Sequence, residues 1–270
     1  MHMHRKCSTA VAAAVILALL APATRVIAQV ATDNADNAVY NDGAYLGDHG
    51  GSGWGGPWFE TFDGGGGTFT TTNRQVDGTR SFSIFPGDDG YVVGRWGTTW
   101  PTALYTVKSR HDLNAQTGFS GFNIQQTGGG HRPPEQSIIT FGLPGTATPG
   151  AAFNTVLVQG LDGPKLLTLT GGDGEIRGDV LSWAVWIDAG FGVQTYTLNV
   201  TSDDGGFATA TGTTNLTTGL LYFGFANLNV GAFQDFHFDN PTLAPVPEPE
   251  TAAALALAAF AALARRRIAS

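Results

Sequence analysis

The spacing of apolar residues constrains this chain more than any other feature. From Thr68 onward, short stretches of alternating apolar and polar residues follow one another, with turn-forming residues between them. In 194–201, Tyr196, Leu198 and Val200 fall on one side of an extended chain and Thr195, Thr197 and Asn199 on the other. Leu221, Phe223 and Phe225 repeat the pattern, as do Phe236 and Phe238. A period of two is that of a strand with one face in a core. The connectors Gly87-Asp-Asp-Gly90, Asp162-Gly-Pro164, Gly171-Gly-Asp-Gly174 and Asp203-Asp-Gly-Gly206 supply residues that tolerate the backbone angles of chain reversals.

Strands are expected at 68–72, 81–85, 91–96, 103–110, 118–125, 137–143, 155–159, 165–170, 181–187, 194–201, 207–213, 220–226 and 233–239. No helical period intervenes, so the fold class is all-β, a two-sheet sandwich. A jelly roll of the lectin or LamG type is favoured over a β-solenoid, since no fixed repeat period is visible. The polar stretch 31–41 reads as a leader into the first strand, and Gly43 to Phe59 as a glycine-rich loop carrying aromatics. The predicted organisation is a signal peptide over 1–28, a single sandwich domain over 29–244 and a tail over 245–270. Helices are expected only in the two flanking segments.

Charged residues make up 13% of the chain, about half the usual share. Of 14 basic and 22 acidic residues, six bases and two acids fall in the two ends, leaving 8 and 20 in residues 29–244, a net charge of −12. Such a domain repels nucleic acid. The one cysteine, Cys7, precedes residue 29, so the expected mature domain has no disulfide, Cys nucleophile or Cys-based zinc site. Arg5 and Lys6, the apolar run Ala10 to Ala21 and Val26-Ile27-Ala28 form a secretory signal with cleavage expected after Ala28. Signal peptidase and the secretion machinery are the implied partners.

No catalytic constellation emerges. Glycoside hydrolysis needs two flanking carboxylates, and the body carries only Glu60, Glu135 and Glu175, none of them in an alternating acidic strand. His49, His111, His131 and His237 are isolated and read as surface or turn residues. Asp188 reads as a strand-end residue. Gly171-Gly-Asp-Gly-Glu-Ile-Arg177 resembles half of a calcium-binding nonapeptide repeat but has Ile176 where an Asp is needed, so it reads as a turn. No cofactor is expected, although Asp carboxylates and loop carbonyls leave room for a structural calcium. Arg177-Gly178-Asp179 matches an adhesion tripeptide by letters only. Trp54, Trp58, Trp96 and Trp100, in or beside glycine-rich loops, are candidate glycan contacts because indole faces stack on sugar rings. The competing reading is that they plug the open edges of the sandwich. Trp183 and Trp186, three apart in one strand, must point to opposite faces.

The chain ends in Val246-Pro-Glu-Pro-Glu-Thr251, an apolar run from Ala252 to Ala264, and Arg265-Arg266-Arg267. Pro241 to Pro249 reads as an extended spacer leading away from the sheet. The motif Pro247-Glu248-Pro249, the apolar segment and the arginine cluster, in that order behind an export signal, resemble the sorting tail of PEP-CTERM proteins. That resemblance implies recognition by an exosortase-type membrane protease. Asp36-Asn-Ala-Val-Tyr-Asn-Asp-Gly43, Asp48-His-Gly-Gly-Ser-Gly-Trp-Gly55 and Phe236-His-Phe-Asp-Asn240 resemble segments of the exported β-sandwich cargo of that system. The 13-residue apolar run is roughly 20 Å long as a helix, short of a hydrocarbon core of about 30 Å, which suits a transient stop at the inner membrane. By the positive-inside rule, the arginines stay in the cytoplasm and the body outside. The expected product is a non-enzymatic cell-surface or extracellular-matrix protein. The alternative is a carbohydrate-binding module acting on extracellular polysaccharide.

Overall fold

The computed structural model describes residues 31–97, 102–111, 118–125, 138–145, 148–188, 194–214, 222–230 and 235–245. The signal segment with Ala28, Trp100, His131, and the sorting residues Pro247, Glu248, Pro249, Arg265, Arg266 and Arg267 lie outside the described residues. Among the described residues no helix is long and apolar enough to cross a membrane.

The strands are β1 (Ala31–Thr32), β2 (Phe59–Asp63), β3 (Gly67–Thr71), β4 (Ser81–Phe85), β5 (Tyr91–Trp96), β6 (Thr102–His111), β7 (Ser120–Gln125) and β8 (Ile139–Leu143). They continue with β9 (Thr155–Gly160), β10 (Gly163–Thr168), β11 (Val180–Asp188), β12 (Gln194–Ser202), β13 (Phe207–Thr214), β14 (Tyr222–Asn227) and β15 (Phe236–Pro245). They form two antiparallel sheets. An eight-stranded sheet runs β13-β12-β11-β6-β15-β4-β3 with β1 added beside β15, and a seven-stranded sheet runs β10-β9-β8-β7-β14-β5-β2. The chain crosses between the sheets repeatedly, so strands distant in sequence, such as β6 and β15, become neighbours.

The alternation read from the sequence is the alternation that packs. Tyr196, Leu198 and Val200 are buried, and Thr195, Thr197 and Asn199 face outward. Between the sheets lies an aromatic core in which Phe122 packs against Phe141, Trp183, Phe223, Phe225 and Phe236, and Phe225 stacks on Phe238 at 4.2 Å. Rings at these separations add to the area they bury. Trp183 donates its indole N–H to Ser109 Oγ at 2.8 Å, which satisfies the one polar atom it brings inside. The central strands β5, β7, β8 and β14 of the seven-stranded sheet are almost wholly buried.

Several expectations need correction. The segment 31–41 is not a polar leader. Ala31 and Thr32 pair with Leu243 and Thr242, Ala38–Tyr40 form a 3-10 turn capped by the Asn37 side chain, and Ala31, Asp33, Ala35 and Tyr40 are buried. Pro241 to Pro245 is not part of a spacer, because β15 runs through it. A bulge between Asp239 and Thr242, with Asn240 at φ 52°, carries the strand past Pro241, and the Pro241 carbonyl accepts from Asp33 N at 3.1 Å. Proline lacks an N–H, and a bulge is where a sheet tolerates that. β2 was hidden by the glycine-rich sequence before it and pairs with β5 across a second bulge. His111 and His237 are buried strand residues, not surface ones. His111 stacks on Phe236, and His237 Nδ1 lies 2.7 Å from Ser83 Oγ.

Candidate functional site

The glycine-rich loop after Gly43 proves to be a structural device. Arg95 of β5 is fully buried and bonds to Asp33, which is buried as well. Its Nη1 also donates to the Gly50 carbonyl at 3.0 Å and its Nη2 to the Gly56 carbonyl at 2.9 Å. The guanidinium carbon lies 5.2 Å from the ring centre of Trp54 and the same from Trp58. Asp33 Oδ2 further accepts from Tyr40 Oη at 2.6 Å and Trp58 Nε1 at 3.0 Å, so three donors converge on one oxygen. Burial pushes the Asp33 carboxyl up and the Arg95 guanidinium down. Those donors and the adjacent opposite charge favour the charged forms against that burial. Gly51, at φ 68°, has no room for a Cβ against the Thr32 carbonyl, so the loop can lie flat on β1 only with glycine there.

This geometry decides Trp54, Trp58 and Trp96. Trp58 is fully buried between Tyr45, Phe82, Phe225 and Phe238, and Trp54 is 6% exposed. Neither offers a face to a sugar, and both serve as plugs that cover Arg95. Trp96 is half-buried, with one face stacked on Phe59 at 5.6 Å and its edge toward Tyr222. The exposed tryptophan of the described residues is Trp186, at 44%. Its spacing from Trp183 puts the two on opposite faces, and that opposition holds, with Trp183 2% exposed.

Trp186 stands on the outer face of the eight-stranded sheet, and register places its neighbours. Leu104, Trp186, Thr197 and Thr211 lie side by side across β6, β11, β12 and β13. The next row is Thr106, Ala184, Asn199 and Thr209, and the one after is Lys108, Ser182, Thr201 and Phe207. Thr242 of β15 extends the second row. Two shallow depressions share this face. One of about 290 Å³ is lined by Trp186, Asp188, Thr195 and Thr197. The other, about 330 Å³, has Thr106, Ser182, Ala184, Asn199, Asn240 and Thr242 among its lining residues. Ala184 makes the dip between Trp186 and Ser182. Thr209 donates to Asn199 Oδ1 at 2.8 Å, which leaves the amide N–H donors of Asn199 for solvent or a ligand. The result is an aromatic plate beside hydroxyls and amides at fixed sheet spacing. Asp188 ends β11 beside it, exposed as expected of a strand-end residue.

A second cluster sits in the turns at one end of the sandwich. Asp173, Asp179 and Asp204 each bring a carboxylate oxygen within 4.8 Å of the others. Burial and the charges of Asp204, Asp203 and Asp173 raise the Asp179 carboxyl to about 6. Three hard oxygen donors are the set a calcium ion takes. Two of them already have turn partners: Asp204 accepts from Asp173 N and Ser202 Oγ, and Asp173 from Glu175 N. Gly171, Gly172 and Gly174 all have positive φ and Ile176 is buried, so the segment resembling a calcium repeat is a turn. None of the three carboxylates lines the depressions around Trp186. Arg177 of the adhesion-like tripeptide lies 3.7 Å from the Phe153 ring centre and pairs with Glu175.

The sequence matches no protein-family model and no curated protein. Solved structures do resemble the chain. A PL-14 alginate lyase from Aplysia kurodai is 8% identical with a TM-score of 0.44, over 66% of this chain and 87% of the lyase. Peanut lectin is 13% identical with a TM-score of 0.46, over 70% of this chain and 97% of the lectin. A carbohydrate esterase of the Shiga toxin-encoding bacteriophage phi24B is 10% identical with a TM-score of 0.47, over 80% of this chain and 98% of the esterase.

Proposed function

We propose that this chain is an exported, non-catalytic jelly-roll protein of the cell surface or extracellular matrix, and that its outer sheet face around Trp186 binds extracellular polysaccharide. The observation that carries the binding reading is Trp186. The indole stands 44% exposed in mid-sheet, among Thr, Ser and Asn side chains. Stacking on a sugar ring would bury it while the surrounding hydroxyls and amides meet the sugar's own. The repeated crossing of the chain between the sheets supports the jelly-roll assignment.

The test is retention of the exported protein in gels containing polysaccharide. Trp186→Ala is expected to abolish retardation while leaving the melting temperature within about 2 °C, because truncating an exposed side chain moves stability by at most about 0.5 kcal/mol. Retardation equal to that of the parent protein would refute this face as the binding site.

Sorting by an exosortase-type protease is the second part of the reading, and it rests on the Pro247-Glu248-Pro249 tail. The described residues begin in β1 and end in β15, and Ala31 of the one pairs with Leu243 of the other. Mass spectrometry of the released protein from an exosortase-bearing host is expected to find the arginine cluster gone. A released form intact through Ser270 would contradict processing.

A further inference from the structure

Charge on the Trp186 face narrows the ligand. The two cations at its edge are turned toward the loop that follows β3. Lys108 Nζ lies 2.7 Å from Asp77, and Arg110 Nη1 points to the Gln75 carbonyl at 3.5 Å. The remaining polar groups lining the two depressions are hydroxyls, amides and the Asp188 carboxylate. Among the described residues the one ammonium group lining the depressions, that of Lys108, is already paired with Asp77, and the domain around it has a net charge of −12 in residues 29–244. Acidic chains meet long-range repulsion with no local ion pair to offset it. The depressions follow β11 from Asp188 past Trp186 and Ala184 to Ser182, a span of about 20 Å at strand rise, which is longer than a single sugar needs.

We infer that this face takes a neutral polysaccharide, laid along β11 with one ring on Trp186, and rejects uronic-acid and sulfated chains. The inference rests on the carbohydrate-binding reading above and specifies its ligand class. It also separates two roles that matrix polysaccharides could play, since neutral chains are held here by stacking and hydrogen bonds, which salt does not screen.

The experiment is affinity electrophoresis of the full exported protein against neutral glucans, mannans and galactans, and against alginate, polygalacturonate and a sulfated galactan, each at low and at physiological salt. The expected result is retardation by at least one neutral chain, unchanged by salt, with anionic chains weaker by about tenfold or more at low salt. Trp186→Ala is expected to lose that retardation and Trp186→Phe to keep most of it. Ala184→Gln, which fills the dip beside the indole without removing it, is expected to weaken it as well. Tighter binding of an anionic chain, or binding that weakens as salt rises, would overturn the neutral-ligand inference and leave the carbohydrate reading standing. Retardation by no chain of either class would overturn the carbohydrate reading itself. Neutral binding untouched by both Trp186→Ala and Ala184→Gln would overturn the placement on this face.

Discussion

Replacing Arg95 by Met is expected to destabilise the domain by about 3–5 kcal/mol, the cost of removing one partner of a buried ion pair. The substitution roughly preserves side-chain volume but strips every donor from a site with 0% exposure. It leaves the Asp33 carboxylate with only Tyr40 and Trp58 as side-chain donors, and orphans the carbonyls of Gly50 and Gly56. Against a typical domain stability of about 5–15 kcal/mol, the loss is severe. Urea titration of the parent and variant would measure it, and the 43–58 loop should become the first site of proteolytic cleavage. The effect should not be additive. Asp33→Leu combined with Arg95→Met removes both charges, and the pair should cost clearly less than the sum of the single changes. A loss below about 1 kcal/mol for Arg95→Met would show that the network does not hold the loop.

The second large effect is a dependence on pH. Asp239 sits at the bulge of β15, is 1% exposed, and accepts on one oxygen from Ala35 N at 3.0 Å and Asn240 N at 2.8 Å. Burial, with smaller contributions from the charges of Asp36 and Asp77, pushes its carboxyl up to about 7. In an unfolded chain the same group titrates near 4. Between those values the folded protein holds a proton the unfolded chain has lost, so stability falls as pH rises from about 4 to 7 and is flat beyond. The full difference is on the order of 4 kcal/mol at about 1.4 kcal/mol per pH unit. Asp179, raised to about 6 but half-buried, adds a weaker contribution of the same sign. Asp36 is exposed and Asp77 half-buried, and both are held low by hydrogen bonds they accept, from Thr79 and from Lys108 respectively, so they act only in more acid solution. Denaturation midpoints at pH 5 and pH 8 would show the slope, and Asp239→Asn should remove most of it by raising stability at pH 8. A variant with the same slope as the parent would exclude Asp239 as its source. A protein with such a profile is most robust in mildly acidic surroundings.

Strands with regular alternation were legible from sequence because the information is local. In β12 the residues Thr195 to Val200 alone state which side faces the core. The turns were legible for the same reason, since Gly171, Gly172 and Gly205 sit at the positive φ that their sequence context suggested. What failed was whatever depended on a partner far along the chain. β1 is two residues long and exists only because Leu243 and Thr242 wait opposite it. The prolines after Asp239 looked like the start of a spacer because a bulge, which sequence does not announce, keeps them in β15. The site was misplaced in the same way. Trp54 and Trp58 stand among glycines and look exposed, yet a buried Arg95 from another strand draws both indoles inward.

Trp186 is the clearest case of the division. Alternation along β11 already put it opposite Trp183, hence on the polar side of its strand. Period-two geometry needs nothing beyond neighbouring residues. Whether that polar side was covered, and by what, depended on which strands lay alongside. Only the register with β6 and β12 set Ala184, Asn199, Thr106 and Thr197 around the indole and left it open to solvent. Sequence by itself determined an acidic, all-β body whose residues 29–244 hold no cysteine, because composition and short-range periodicity suffice for that. The tertiary structure decided which aromatic is free to meet a ligand and which charge is locked inside, because both depend on contacts between residues that the chain keeps tens of positions apart.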